Sequence, residues 1–475
     1  MIPGVGKVQT YGPTKLPYLL HKFELWSFPE PEPKLSLDEE QPRVPPPSQS
    51  SVKNENEEVG EAGISVVLGA GNQSFICIMD TLQCLFVHPC KPVLIKHHPL
   101  RPFLYDLCNQ ILQPLISRGY VQQMLDEGLE LNEAILNQSE VTHIHITGSL
   151  RTVEAIQSTL STIRSPNAPA VAISSELGNV TPVIISPGQY TPRELRNAAK
   201  ICVTSKKMYA GSNCLATQAL ILPQDWEQKA EFRSILMEEL RTTPTDPAYY
   251  PGSGERCKAM AFHYKNLGER RMIELDAPRS FDAGDDDSFD EWFVNPYVVE
   301  CGVPETDSYD GHALQNEAFG PLLGIVELPG GGHDTTKDYL LNTAIPFLNQ
   351  KENIYGSLCC SLIYPKCENK QVTDMAIARL RYGTVAINTL TAFGYLTVPF
   401  GGRWGAHTLD LTGHSGRGFL GNALNVSNVD KTVIYSHSLD FPLLINQKLL
   451  LPSFATRFLN FINMSIPRAI KKVLK

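Results

Sequence analysis

Short runs of β-branched and other apolar residues recur between helical stretches along most of this chain, and that alternation is what most limits its fold. ISVVLGA (64–70), PVLIK (92–96), VTHIHITG (141–148), TPVIIS (181–186), CLATQALIL (214–222), YGSLCCSLIYP (355–365) and GTVAINT (383–389) read as buried strands. Between them lie helical patterns. FLYDLCNQILQPLISRG keeps Leu104, Leu107, Ile111, Leu112, Leu115 and Ile116 on one stripe, with Pro114 placed to kink it. PRELRNAAKICVTSKKM (192–208) opens with Thr191 as N-cap, Pro192 in the first turn and Glu194 close behind. Strands alternating with helices mean βαβ units and mainly parallel sheets, so the expected fold class is α/β.

With 475 residues the chain has room for two to four domains, and an apolar fraction of 42 % supports sizeable cores. Residues 1–63 read as an irregular arm or linker. Seven prolines fall between Pro29 and Pro47, and a polar, aperiodic run follows. A spacer is the simpler reading, with Pro45 to Pro47 as a polyproline ligand the alternative. The balance of 41 basic against 50 acidic residues gives a net charge of −9, which argues against a general nucleic-acid binder. Eleven scattered cysteines fit a reducing, cytoplasmic setting better than a disulfide framework. They form no Cys/His ligand ladder, so no metal is expected. The first residues lack a secretory apolar run, and no stretch is long and apolar enough to span a membrane. Residues 449–475 mix apolar and basic positions, which suits a docked helix or, alternatively, a membrane-surface contact. The acidic run 276–292 lacks the spacing of a calcium loop and reads as a solvated loop.

Six short segments could carry chemistry. Gly69-Ala70-Gly71-Asn72 follows a strand, but Ser74 stands where a dinucleotide fingerprint needs its third glycine. Thr147-Gly148-Ser149 ends a strand and enters a helix, exposing backbone N–H groups suited to a phosphate. Cys214, in Ala210-Gly211-Ser212-Asn213-Cys214, sits on a small-residue turn where a thiolate could act as nucleophile, although a buried apolar cysteine is the commoner case. Glu176, among apolar strand residues, is either a base with a raised pKa or an ordinary paired glutamate. Asn316 to Pro321, around Glu317, and Pro399 to Gly402 complete the set.

In order and separation, these segments resemble the aldehyde dehydrogenase superfamily over about residues 64–425. The match is closest to a divergent branch with an ELGN motif. The resembling motifs are Asn72, Lys96, Thr147-Gly148-Ser149, Glu176-Leu177-Gly178, Gly211 to Cys214, Glu317 with Phe319-Gly320-Pro321, and Pro399 to Gly402. The resemblance implies a Rossmann-like cofactor domain at 64–179 and an α/β catalytic domain at 180–400. It implies a segment at 401–475 packing back on the cofactor domain. It implies oxidation of a small-molecule aldehyde substrate to an acid with NAD or NADP. Cys214 would be the nucleophile, Asn72 and the Cys214 backbone N–H the oxyanion donors, and Glu176 the base that hydrolyses the thioester. Glu317 would hold the nicotinamide ribose, with Phe319 beside the nicotinamide. Lys96 would bind the adenosine ribose, and Gly148 and Ser149 the pyrophosphate. A homo-oligomer is implied as well.

The sequence departs from the family pattern at several walls of this site. His97-His98-Pro99 replaces the usual ribose-binding glutamate, which leaves NAD against NADP open: the loss either admits a 2′-phosphate, with His97 or His98 nearby, or weakens cofactor binding. Asn179 replaces the motif's second glycine, and asparagine's tolerance of left-handed backbone is expected to preserve the turn. Tyr209 and Ala70-Gly71 are further changes. The stretch before Ile64 is shorter than resembling chains carry, which implies a trimmed cofactor domain or a partial product. A non-catalytic scaffold and an acyl-transferring relative stand as alternatives.

Overall fold

The computed structural model describes residues 2, 7–15, 21–28, 63–125, 129–165, 170–280, 293–332, 335–436 and 439. The linker at 29–62, the polyproline segment, the acidic residues 281–292 and the segment 449–475 lie outside these. The strands run β1 (Gln9–Lys15), β2 (Lys22–Ser27), β3 (Ile64–Leu68), β4 (Val93–Lys96), β5 (Val121–Met124), β6 (Val141–Thr147), β7 (Ala172–Glu176), β8 (Thr181–Ile185) and β9 (Thr217–Pro223). They continue with β10 (Met272–Glu274), β11 (Tyr297–Gly302), β12 (Leu322–Leu328), β13 (Cys359–Ile363), β14 (Thr384–Ile387), β15 (Arg403–Trp404), β16 (Gly416–Arg417), β17 (Leu420–Gly421) and β18 (Val429–Tyr435). All seven expected strands form, most of them shorter at one or both ends, while β9 starts later and runs one residue further, to Pro223. Cys214 falls in the loop ahead of β9 rather than inside a strand.

Two main sheets result. The smaller has the order β16-β7-β6-β3-β4-β5, and its five long strands are parallel. Its chain runs outward from β3 through β4 to β5, then returns to the other side of β3 for β6 and β7. That reversal opens a crevice at the carboxyl ends of β3 and β6, the usual ligand position in an open α/β sheet. Both faces are packed: Val67, Val93 and Ile95 enter one apolar cluster, while Val66, Ile144 and Ile146 enter the other. The larger sheet has the order β1-β2-β18-β14-β13-β8-β9-β12-β11-β10, with seven parallel strands from β18 to β11. Its strands also bury alternate residues on opposite faces. Ile184 and Ile221 go to one cluster, and Val183, Ile185, Leu220 and Leu222 to the other. A continuous apolar run is what a strand covered on both faces requires.

The reading of residues 1–63 as wholly irregular is corrected. β1 and β2 pair antiparallel, and β2 pairs antiparallel with β18, four hundred positions away in sequence. Phe23, Leu25 and Trp26 are 2–3 % exposed, so β2 is a true sheet member. The carboxyl-terminal segment also departs from expectation. β16 does pair with β7 of the smaller sheet, but β18 belongs to the larger one.

Helices cover the sheets. α1 (Ile76–Phe86) follows β3. The stripe at 104–116 divides into α2 (Leu104–Ile111) and α3 (Gln113–Ile116), broken at Leu112 just ahead of Pro114, which has no N–H to continue the ladder. After α4 (Leu129–Leu136) comes α5 (Leu150–Ile163), capped by Ser149, whose Oγ accepts from the Thr152 N–H at 3.2 Å. α6 (Pro192–Lys207) has the reciprocal capping box that Thr191 and Glu194 foreshadow.

Candidate active site

The short link from β7 to β8 carries the chain from the smaller sheet to the larger, and the candidate site is built around it. Glu176 is the last residue of β7 and Thr181 the first of β8, so Leu177 to Val180 bridge the sheets and are buried. Gly178 has a steric reason to be glycine: a Cβ there would stand 2.2 Å from Glu317 Oε2. Asn179 is not in the left-handed region, which corrects the expected reason for its place. Its side chain instead ties the site together. Nδ2 donates to Thr181 Oγ1 at 2.9 Å and to the Cys359 carbonyl at 3.0 Å, and Oδ1 accepts from the Leu358 N–H at 3.3 Å. Its backbone N–H donates to Glu317 Oε1 at 3.1 Å.

Cys214 is half-buried at the end of a strained loop. Tyr209, Ala210 and Gly211 all have positive φ (54°, 50° and 72°). A Cβ on Gly211 would meet the Gly320 carbonyl oxygen at 2.4 Å, so this glycine lets the cysteine and glutamate loops touch. The Cys214 carbonyl accepts from Thr181 Oγ1 at 3.1 Å. Asn72 reaches the same loop, its Nδ2 donating to the Ser212 carbonyl at 3.3 Å. The Asn72 carbonyl is itself held by Arg101 at 2.9 Å and by the Tyr249 hydroxyl. Burial pushes the Cys214 thiol well above its ordinary pKa, and the neighbouring Cys359, Glu176 and Glu317 push it further. Burial likewise raises the Glu176 carboxyl well above the carboxylate range, with Asp80 adding to the rise and Trp404 opposing it. The Pro399 to Gly402 turn leads into β15 and thereby positions Trp404, which is fully buried.

Glu317 is raised to about 7 by burial, with its bond from Asn179 and the charges of Lys206 and Arg256 pulling the other way. Its loop is pinned on both sides by residues that carried no motif. Buried Gln218 donates to the Ala313 and Asn316 carbonyls at 2.8 and 2.7 Å and accepts from the Ala318 N–H at 2.8 Å. Buried Lys206 donates to the Gly320 carbonyl at 2.8 Å. Phe319 has a φ of 48°, its carbonyl accepts from Ser253 Oγ at 2.8 Å, and its ring packs edge-to-face on Tyr250 at 4.9 Å. A cavity of about 670 Å³ beside these residues is lined by Arg101, Tyr249, Tyr250, Glu255 and Lys258 among others.

The crevice of the smaller sheet has an open turn at its mouth. Gly148 and Ser149 are exposed at the first turn of α5, and a Cβ on Gly148 would meet nothing nearer than Ile146 Cγ2 at 3.8 Å. The protein's own packing does not demand glycine there, and the bare backbone is open to a close-approaching phosphate. Lys96 ends β4 beside this crevice and is buried. His97 is not available to a 2′-phosphate: it is 1 % exposed, and its Nε2 bonds to Gln123 Oε1 at 2.8 Å. His98 instead lies against Gly71, where a Cβ would come within 2.6 Å of its ring. The structure thus gathers Asn72, Glu176, Cys214, Glu317 and Phe319 at the sheet junction, with Lys96, Gly148 and Ser149 along the adjoining crevice.

Comparison with curated protein sequences returns no match. Solved structures do resemble the chain. A betaine aldehyde dehydrogenase from Staphylococcus aureus in complex with NAD⁺ is 17 % identical with a TM-score of 0.55, over 81 % of this chain and 68 % of that one. A salicylaldehyde dehydrogenase from Pseudomonas putida G7, complexed with salicylaldehyde, is 17 % identical with a TM-score of 0.57, over 76 % of this chain and 67 % of that one. At such identity the likeness shows a shared α/β fold. The aldehyde dehydrogenase family model matches residues 63–408, a span that runs from the first strand of the crevice past the cysteine and both glutamates. A match over that much of the sequence, on this fold, makes the chain a member of the aldehyde dehydrogenase family.

Proposed function

We propose that this protein oxidises an aldehyde to a carboxylic acid, with NAD or NADP as hydride acceptor and Cys214 as the covalent nucleophile. The observation that carries the reading is the convergence of Cys214, Asn72, Glu176 and Glu317 on one junction between the two sheets. Cys214 Sγ adds to the aldehyde carbon, the thiol proton passing to solvent. The carbonyl oxygen becomes an oxyanion within reach of the second Asn72 Nδ2 hydrogen, since the first is spent on Ser212. A nicotinamide, when bound, would supply the hydride acceptor needed for the thiohemiacetal to become a thioester. Glu176 then takes a proton from water, which attacks the thioester carbon, and the acid leaves as that proton passes from Glu176 to the departing thiolate. A carboxyl with a raised pKa is the stronger base once ionised, which suits it to taking the proton from water. Glu317 and the open turn at Gly148 and Ser149 would hold the ribose and pyrophosphate, with Lys96 toward the other ribose.

Retention of Glu176 favours hydrolysis over acyl transfer. With a panel of aldehydes, wild-type chain is expected to produce reduced nicotinamide, and Cys214→Ser to lose at least 10³-fold in rate while still binding the dinucleotide. Coenzyme A is expected to leave acid release unchanged. One observation favours a second reading, a binding protein without turnover: burial, with Cys359, Glu176 and Glu317 beside it, raises the Cys214 thiol well above its ordinary pKa. Folded wild-type chain that binds neither dinucleotide and reduces none would establish it.

A further inference from the structure

Behind Glu176 lie two buried side chains, Asp80 and His145, that no part of the proposed reaction uses. Asp80 of α1, His145 of β6 and Glu176 each turn a side-chain ligand atom toward a common point, and these atoms lie within 4.8 Å of one another. The residues are 0, 3 and 5 % exposed. Asp80 Oδ1, His145 Nε2 and Glu176 Oε1 are all buried without a hydrogen-bond partner. Three such atoms facing one another is a costly arrangement unless something sits between them.

We propose that Asp80, His145 and Glu176 form a binding site for a divalent first-row transition ion such as zinc. His145 Nε2 and Asp80 Oδ1 are 3.5 Å apart, too far for a good hydrogen bond. Two donors at that spacing, each about 2.0–2.1 Å from zinc, subtend about 115° at the metal, near the tetrahedral value. The Glu176 carboxylate, within 4.8 Å of both, would supply the third bond and leave the fourth position to water. Two carboxylates and a neutral imidazole carry the charge that a divalent cation cancels, and the imidazole favours a transition ion over magnesium or calcium. The supporting bonds a metal site needs are already made. Thr147 Oγ1 donates to Asp80 Oδ2 at 3.0 Å, leaving Oδ1 for the ion. His145 Nδ1 is bonded to Ser174 Oγ at 2.8 Å, and that hydroxyl is also bonded to His143 Nε2 at 2.9 Å. These bonds fix the ring and point Nε2 at the site. The three ligands come from different elements and leave no spacing motif, so the sequence reading that expected no metal had nothing to detect.

A metal here would take the carboxylate that the proposed reaction uses as its base. Zinc loading therefore lowers acid release in step with occupancy, a consequence that alone rests on the proposed function. The test is zinc titration of the chelator-stripped full chain in competition with a chromophoric chelator. One equivalent is expected to bind, with affinity falling tenfold or more in Asp80→Asn and His145→Gln and unchanged in Cys214→Ser. Cobalt(II) substituted into the wild type is expected to give tetrahedral d–d bands without a thiolate charge-transfer band. Should the variants fail to fold, an anomalous difference map at the zinc edge from wild-type crystals decides, with a peak expected among the three side chains. No stoichiometric binding, equal affinity in the folded variants, a thiolate band, or peaks confined to cysteines would each overturn the site. Zinc binding with undiminished acid release keeps the site and rejects Glu176 as the base.

Discussion

Glu176 and Glu317 differ in what surrounds them, and that difference separates their tests. Glu176 is fully enclosed near Asp80, whereas Glu317 keeps a backbone N–H and sits near Lys206. Glu176→Gln is expected to slow steady-state acid release by about 10²-fold or more while a first-turnover burst of reduced nicotinamide survives, as read by stopped-flow absorbance. Loss of the burst together with the steady state would assign Glu176 to the first proton transfer as well. For Glu317 the prediction concerns stability. Its folded pKa of about 7 lies above the ordinary carboxyl value, so the folded protein binds the extra proton between about pH 4.5 and 7. Stability from this group is therefore greatest at low pH and falls as pH rises through that window, by on the order of 2–3 kcal/mol. Glu317→Gln keeps the acceptor for Asn179 and is expected to flatten that fall, measured as urea midpoints across the window. At this scale the motif residues were legible, because a nucleophile or base must be a particular side chain. Gln218, Lys206, Asp80 and His145 were not, because their importance lies in what the fold sets opposite them.

Among the elements, the β7–β8 link shows how little freedom the site has. Gly178→Ala puts a methyl group where Glu317 Oε2 now lies. The expected result is a loss of about 1–3 kcal/mol in stability and a raised KM for the dinucleotide, with the KM for aldehyde much less affected. An unchanged dinucleotide KM would separate Glu317 from cofactor binding. The buried parallel strands were readable because strands covered on both faces need unbroken apolar runs, as at Thr181–Ile185. The α6 start was readable because its cap is local: Thr191, Pro192 and Glu194 settle it among themselves. β5, with the sequence VQQM, and β1, with QTYGPTK, carry no such signal. They are strands because a neighbouring edge supplies their hydrogen bonds.

Across the whole molecule, the amino-terminal hairpin and β18 close one edge of the larger sheet over a long chain separation. Trp26 is 3 % exposed in the same cluster as Val180, Ile184 and Val433. Trp26→Ala is expected to cost about 3–5 kcal/mol, seen as a lower denaturant midpoint with little change in slope. A change below about 1 kcal/mol would mean that β2 rests on the sheet without contributing to its core. No described helix is long and apolar enough to cross a membrane.

The amino-acid sequence by itself determined the α/β alternation, the parallel strands, the capped helix before the cysteine loop and the chemical identity of the candidate site residues. These follow from local periodicity, capping and side-chain chemistry, which need no knowledge of distant neighbours. Only the tertiary structure decided that the first strands join the last, that Asn179 works through its side chain, that His97 is buried against Gln123, and that Asp80 and His145 stand behind Glu176. Each of these depends on groups far apart in sequence being brought within a few ångströms, and a linear order of residues does not state that proximity.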